Sequence, residues 1–328
     1  MSQLKAIVGP ARSGTTWAGT LVDSSPDVIY RFEPFHRLSA VSPEIRRWFE
    51  KLKNQAVGEA DLPRIYSLLC PAHPLTNKAP FFRQKSYSLR TLGRRQMWPL
   101  ARLLPPARKL YTVAYSPRPG PSLVFKEVVF VEPLRNLLER TTVPVVYLVR
   151  HPCATVLSST TGQMRGGMPP RVRQLREILL EHAPALAERF PDIVAGSDII
   201  RQTALLWRFE VETCLTLVRR STQGMVMTYE QLTDDAQMHA KTLFAHLGIT
   251  YGEQTERFIE ALYQLRSGSR LGPRRTGWGD QYFSVYRNPR EQKDSWKKKM
   301  SPEDRRKVEA IVQGVPMIED CATLGQWW

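Results

Sequence analysis

Cysteine is sparse in this chain: Cys70, Cys153, Cys214 and Cys321 make up the whole complement, far apart and without a Cys-x-x-Cys pair. That spacing excludes a thiolate zinc site and a dithiol redox motif, and it offers no dense disulfide framework. Long apolar runs are missing too. The amino terminus, Met1 to Val8, enters a strand pattern directly, with no basic region followed by a long apolar stretch. Neither a secretory signal nor a transmembrane segment is expected, so reduced thiols in a cytoplasmic setting are. No cluster such as His-x-x-x-His suggests a metal, and no internal repeat or linker is visible. Acid is short relative to base: 31 Asp plus Glu against 47 Lys plus Arg, a formal net charge of +16. Such an excess attracts anions, whether nucleotides, sulfated glycans, nucleic acid or acidic headgroups. A basic surface kept for solubility explains it equally well until a motif localises the charge.

What is present reads as alternating strands and helices. Leu4–Val8, Val28–Tyr30, Ser122–Lys126, Val143–Val149 and Met225–Tyr229 are apolar strand candidates. The continuous run Val143–Val149 suggests a parallel strand buried on both faces. Helical segments are expected after the first strand from Thr15, near Ile45–Leu52, around Pro133–Arg140, from Ala154, over Ile199–Arg220, and after Ser301-Pro302. Length alone permits two domains. The alternation argues instead for one α/β domain, residues 1–328: a P-loop-like, doubly wound parallel sheet flanked by helices, with ligands beyond the carboxyl ends of the strands. Residues 43–121, rich in Pro and Arg, read as an irregular insertion of loops and short helices on the acceptor side.

Gly9-x-x-x-x-Gly14-Thr15-Thr16 follows the first strand with the glycine spacing of a P-loop, but Thr15 stands where the nucleotide-binding Lys would be. Glycines still let the backbone curl its N–H groups and the helix start toward an anion. Arg12 supplies a cation from inside the loop. A glycine turn with no ligand is the plain alternative. Further on, Arg150 ends the strongest strand and Ser158 lies eight residues later on the next helix, an arrangement able to hold a phosphate.

Arg12-Ser13-Gly14-Thr15-Thr16-Trp17 resembles the 5′-phosphosulfate loop of the sulfotransferases. Arg150 with Ser158 resembles their 3′-phosphate element, His151 departing from the Asp more often found after that Arg. The resemblance implies 3′-phosphoadenosine-5′-phosphosulfate (PAPS) as donor, no metal, and sulfuryl transfer to a hydroxyl-bearing small molecule, glycan or glycolipid. It implies donor contacts from Arg12, Ser13, Gly14, Thr15, Thr16 and Trp17, with Arg12 neutralising the leaving phosphate. Phe283–Pro289 and Trp296-Lys297 resemble the donor-closing segment, making Ser284, Tyr286, Arg287 and Trp296 candidates to cover the nucleotide. Thr228–Leu232 matches a strand-end motif assigned to packing, and Cys321–Gly325 resembles the terminal pattern of the carbohydrate branch.

In-line attack by a hydroxyl needs a proton acceptor. Glu33, just beyond the second strand, is the first candidate base by resemblance, and His36 is its rival because neutral imidazole is competent near neutral pH. His73 or Lys78 of the insertion comes next. Lys126, at the end of its strand, resembles a Lys of the carbohydrate branch that would steady the sulfuryl oxygens, or is a solvated strand-end charge. Two rivals remain open. A P-loop kinase lacks its Lys here, and a basic polyanion-binding protein would rest on runs such as Lys297-Lys298-Lys299, which are usually solvated. No nucleic-acid partner is expected.

Overall fold

The computed structural model describes residues 3–86, 93–117, 120–165, 171–265 and 288–328. Five parallel strands form one sheet: β1 (Leu4–Gly9), β2 (Val28–Phe32), β3 (Ser122–Val128), β4 (Val145–Val149) and β5 (Gly224–Thr228). Their order is β2-β3-β1-β4-β5, so the chain runs from β1 out to the edge strand β2, returns to β3 beside β1, and then crosses to the other side. A crevice forms where the direction reverses, beyond the carboxyl end of β1.

Side-chain alternation sorts the strands onto two faces. Ala6, Val8, Leu123, Phe125, Val145, Tyr147 and Val149 enter one core cluster. Ile7, Val28, Tyr30, Val124, Val146 and Leu148 enter the other. Helix α1 (Thr15–Asp23) covers the second face through Trp17, Ala18, Leu21 and Val22. The first face is covered by α3 (Pro43–Lys53), α7 (Val131–Arg140), α8 (Pro152–Met164) and the long helix Ile199–Arg220. Both faces are dry, which explains the unbroken apolar runs.

Residues 43–121 carry more helix than their composition suggests. Besides α3 there are α4 (Leu62–Leu69), α5 (Arg94–Leu103) and α6 (Pro105–Tyr115). The helix expected near Ile45–Leu52 is α3, but Pro hides α4 and α6 in the sequence because it marks their first turns: Pro63 and Pro105 sit there, where no N–H is lost. Buried Arg31 of β2 fastens this stretch to the sheet, donating from Nε to the Leu69 carbonyl at 2.8 Å and from Nη2 to that of Cys70. The last strand ends one residue earlier than the sequence suggests. Thr228 stops it by capping the helix Tyr229–Asp234, with Gln231 completing a capping box. No helix among the described residues is long and apolar enough to cross a membrane. All four cysteines are buried free thiols.

Candidate active site

The β1–α1 loop is tightly curled. Arg12 and Gly14 adopt left-handed backbone, with φ of 73° and 92°. Gly14 has a second reason to be glycine: a Cβ there would stand 2.2 Å from Cδ2 of Tyr229. Thr15 and Thr16 open α1 with no side-chain cap, while the Trp17 N–H donates to the Gly14 carbonyl at 2.8 Å. Ser13 is fully buried, and its Oγ has no hydrogen-bond partner among the described residues. Trp17, placed by sequence among the donor contacts, is buried in the core beside Phe258, with ring centroids 6.0 Å apart.

The second motif meets this loop. Nε of Arg12 donates to Oγ of Ser158 at 2.9 Å, across 146 residues of sequence. Arg150 lies with its guanidinium 4.5 Å over the Tyr229 ring and donates from Nη2 to the Gln292 carbonyl at 2.6 Å. Its buried Nε has no partner among the described residues. Tyr229 thus sits between Gly14 and Arg150, a site role that the sequence reading assigned only to packing. Nothing local betrays it, because both contacts come from distant segments. Unpartnered donors on Ser13 and Arg150, beside a cradle that a Cβ would fill, fit a phosphorylated donor.

His151 carries no positive charge near neutral pH. Burial, followed by the nearby Arg305, pushes its pKa down to about 3. Its Nδ1 accepts from the Cys153 N–H at 3.1 Å as the cap of α8. Its own N–H donates to Glu230 Oε1 at 3.1 Å, whose Oε2 accepts from Trp327 Nε1 at 2.9 Å. Trp296, expected over the nucleotide, is buried against His151 with ring centroids 4.1 Å apart. Ser284, Tyr286 and Arg287 lie outside the described residues.

A second group of charges gathers at the ends of β2 and β3. Glu33 begins the short α2 (Pro34–Leu38) with φ of 48°, a left-handed non-glycine held in place by its partners. Its Oε1 accepts from Lys126 Nζ at 2.6 Å, and its Oε2 from Arg37 Nε at 3.1 Å. Lys126 and Glu33 side chains are only 3% and 17% exposed, so the solvated strand-end reading of Lys126 does not hold. Lys78 Nζ, Lys126 Nζ and Arg37 Cζ stand 4.3, 4.6 and 4.5 Å from the centre of the Phe32 ring. Burial raises the Glu33 carboxyl, but Lys126 and then Arg37 outweigh it and leave the pKa below its ordinary value. Burial, followed by the charge of Lys126, lowers Lys78 to about 7, with Arg12 contributing. Arg37 was missed by sequence, although its spacing four residues from Glu33 was the available signal.

The rival base sits elsewhere. Lys126 and Glu127 are consecutive on β3 and therefore point to opposite faces. Lys126 pairs in register with Ile7, on the α1 face, whereas Glu127 pairs with Val8, on the other. His36 follows Glu127: its Nδ1 lies 2.6 Å from Glu127 Oε2, and its ring packs edge-on against Phe49 at 4.9 Å. His73 is spent on its own loop, its Nδ1 accepting from the Leu75 N–H at 3.2 Å; burial, then Arg108, lowers it to about 4. Among the described residues no group of three or more His, Cys, Asp or Glu could hold a metal ion.

A family model described as the sulfotransferase domain matches residues 6–326. The chain belongs to the sulfotransferase family. It is a PAPS-dependent sulfotransferase. No curated protein sequence matches it. Among solved structures, the sulfotransferase shares 16% identity with the sulfotransferase domain of the Synechococcus PCC 7002 olefin synthase, over 95% of this chain and 96% of that one, with a TM-score of 0.46. For the sulfotransferase domain of the curacin biosynthetic pathway the values are 13%, 94%, 95% and 0.46. For mouse sulfotransferase SULT7A1 complexed with PAP they are 10%, 98%, 88% and 0.47. At similarities this low, the assignment rests on the family match.

Proposed function

We propose that this sulfotransferase acts on a carbohydrate or glycolipid hydroxyl, bound against Phe32 and the 43–121 insertion of a single-domain chain. Glu33 is the base and Lys126 and Lys78 hold the sulfuryl oxygens. The observation that carries this reading is the clustering of Glu33, Lys126, Arg37 and Lys78 around Phe32, on the sheet face shared with the Arg12 loop. The acceptor oxygen attacks sulfur in line, its proton passes to Glu33, and the bond from sulfur to the donor phosphate breaks. Negative charge grows on that phosphate, where Arg12 and the loop N–H groups stabilise it. Arg150 and Ser158 take the 3′-phosphate through charge-assisted bonds.

His36 is the weaker base in this reading, because β3 turns its partner Glu127 away from Lys126. The carbohydrate preference is supported by the likeness of the late motifs to that branch, and a cytoplasmic setting by the four free thiols. The deciding experiment is transfer of labelled sulfuryl from PAPS to a monosaccharide, a glycolipid and a simple phenol. The sugar-bearing acceptors should be labelled at least about tenfold faster, the scale on which a site built for hydrogen-bonded hydroxyls discriminates. Preferential labelling of the phenol overturns the acceptor class.

A further inference from the structure

Residues 62–126 contain twelve Lys and Arg and not one Asp or Glu. At the middle of this stretch α5 and α6 form a hairpin turning at Leu104. Its inner side is an aromatic cluster of Trp98, Ala101, Tyr111 and Tyr115, with Phe81 packed against it. Its outer side is apolar as well. Leu100 and Leu103 follow each other at helical spacing on α5, Leu104 lies at the turn, and Leu110 and Val113 share helical spacing on α6. All five are exposed, Leu103 at 77% and Val113 at 82%. Eleven large apolar side chains are exposed among the described residues, and these five fall within fourteen positions. Arg95, Arg102 and Lys109 are exposed on the same two helices.

Aliphatic side chains grouped on a surface are expensive to leave in water and mark a contact. Their neighbours decide which contact. A second copy of the chain, meeting this face symmetrically, would bring arginines and lysines together with no carboxylate between them. Nucleic acid would match the cations but wants aromatic platforms, and here the aromatics are turned inward. An anionic bilayer satisfies both features, taking leucines into the boundary between headgroups and acyl chains while its phosphates meet the cations. We propose that the α5–α6 hairpin docks the protein on an anionic lipid surface. Trp98 couples this element to the catalytic region: its Nε1 donates to the carbonyls of Pro74 and Asn77 at 2.9 and 3.0 Å, in the loop that delivers Lys78. The proposal does not depend on which hydroxyl accepts the sulfuryl group.

The test is co-sedimentation of the full chain with vesicles of phosphatidylcholine alone, and of phosphatidylcholine with about one-third phosphatidylglycerol. Binding to the anionic vesicles should exceed that to the neutral ones and weaken as salt is raised. Leu103→Glu with Val113→Glu should reduce partitioning at least about tenfold, as should Arg102→Glu with Lys109→Glu. Both variants should bind 3′-phosphoadenosine-5′-phosphate as the unaltered protein does, which certifies their fold. Equal sedimentation of the leucine–valine variant and the unaltered protein overturns the proposal. So does no binding to anionic vesicles at low salt, or a lipid-free dimer that this variant converts to monomer.

Discussion

At the residue scale, Glu33 and Lys78 are two groups whose protonation their surroundings shift, and they make opposite demands. Glu33 stays ionised because Lys126 and Arg37 outweigh the effect of burial. Glu33→Gln should therefore cut turnover by about 10²–10⁴-fold while leaving 3′-phosphoadenosine-5′-phosphate binding intact. His36→Ala should cost far less, and steady-state rates with the reverse ranking would transfer the role to His36. Lys78, lowered to about 7, loses its charge just above neutrality. If that charge holds the sulfuryl oxygens, activity should decline as pH rises through about 7, and Lys78→Arg should extend the active range upward. A rate that climbs through the same pH would make the neutral amine a proton acceptor instead. Stability moves the other way. Between about 7 and the ordinary lysine value the unfolded chain binds the extra proton, so unfolding free energy should rise with pH, and less so in Lys78→Met.

At the scale of elements, the β1–α1 loop and the helix after β5 act as one unit, because Tyr229 fills the space behind Gly14 and carries the Arg150 guanidinium on its ring. Gly14→Ala meets both a left-handed φ of 92° and that ring. It should cost roughly 1–3 kcal/mol of stability and most of the affinity for 3′-phosphoadenosine-5′-phosphate. Chemical denaturation and calorimetry on the same protein would read both, and an unchanged affinity would mean that the loop is not the donor cradle. Arg150→Ala should weaken that nucleotide by about 1.5–3 kcal/mol and leave adenosine 5′-phosphate almost unaffected. The glycine spacing after β1 and the Arg at the end of β4 could be picked out in the sequence because both are local features. Tyr229 was not, because its role consists only of what surrounds it.

Across the whole molecule, a net charge of +16 should attract a polyanionic donor. Attraction over that distance is screened by salt, whereas contacts made at the half-buried Arg150 and Arg12 would be screened less. Stopped-flow association of 3′-phosphoadenosine-5′-phosphate should slow several-fold from low to physiological salt, with dissociation changing less. An association rate insensitive to salt would reduce the charge to a solubility device.

The sequence by itself determined the five strands and the parallel sheet, and it singled out the glycine loop, Arg150 and Ser158 as candidates. Each is written in local apolar runs or in short spacings that the backbone must obey. The helix α6 stayed hidden because proline marks a helix start as readily as a loop, and α5 because it carries Pro99 in its interior. Only the tertiary structure brought Ser158 to 2.9 Å from Arg12 and enclosed Glu33 between Lys126 and Arg37. It also separated Glu33 from His36, candidates only three residues apart. Consecutive residues on a strand face opposite ways, so Lys126 and Glu127 draw the two candidates to different sides of β3. Which partner waits on each side is decided by the packing of segments about ninety residues away.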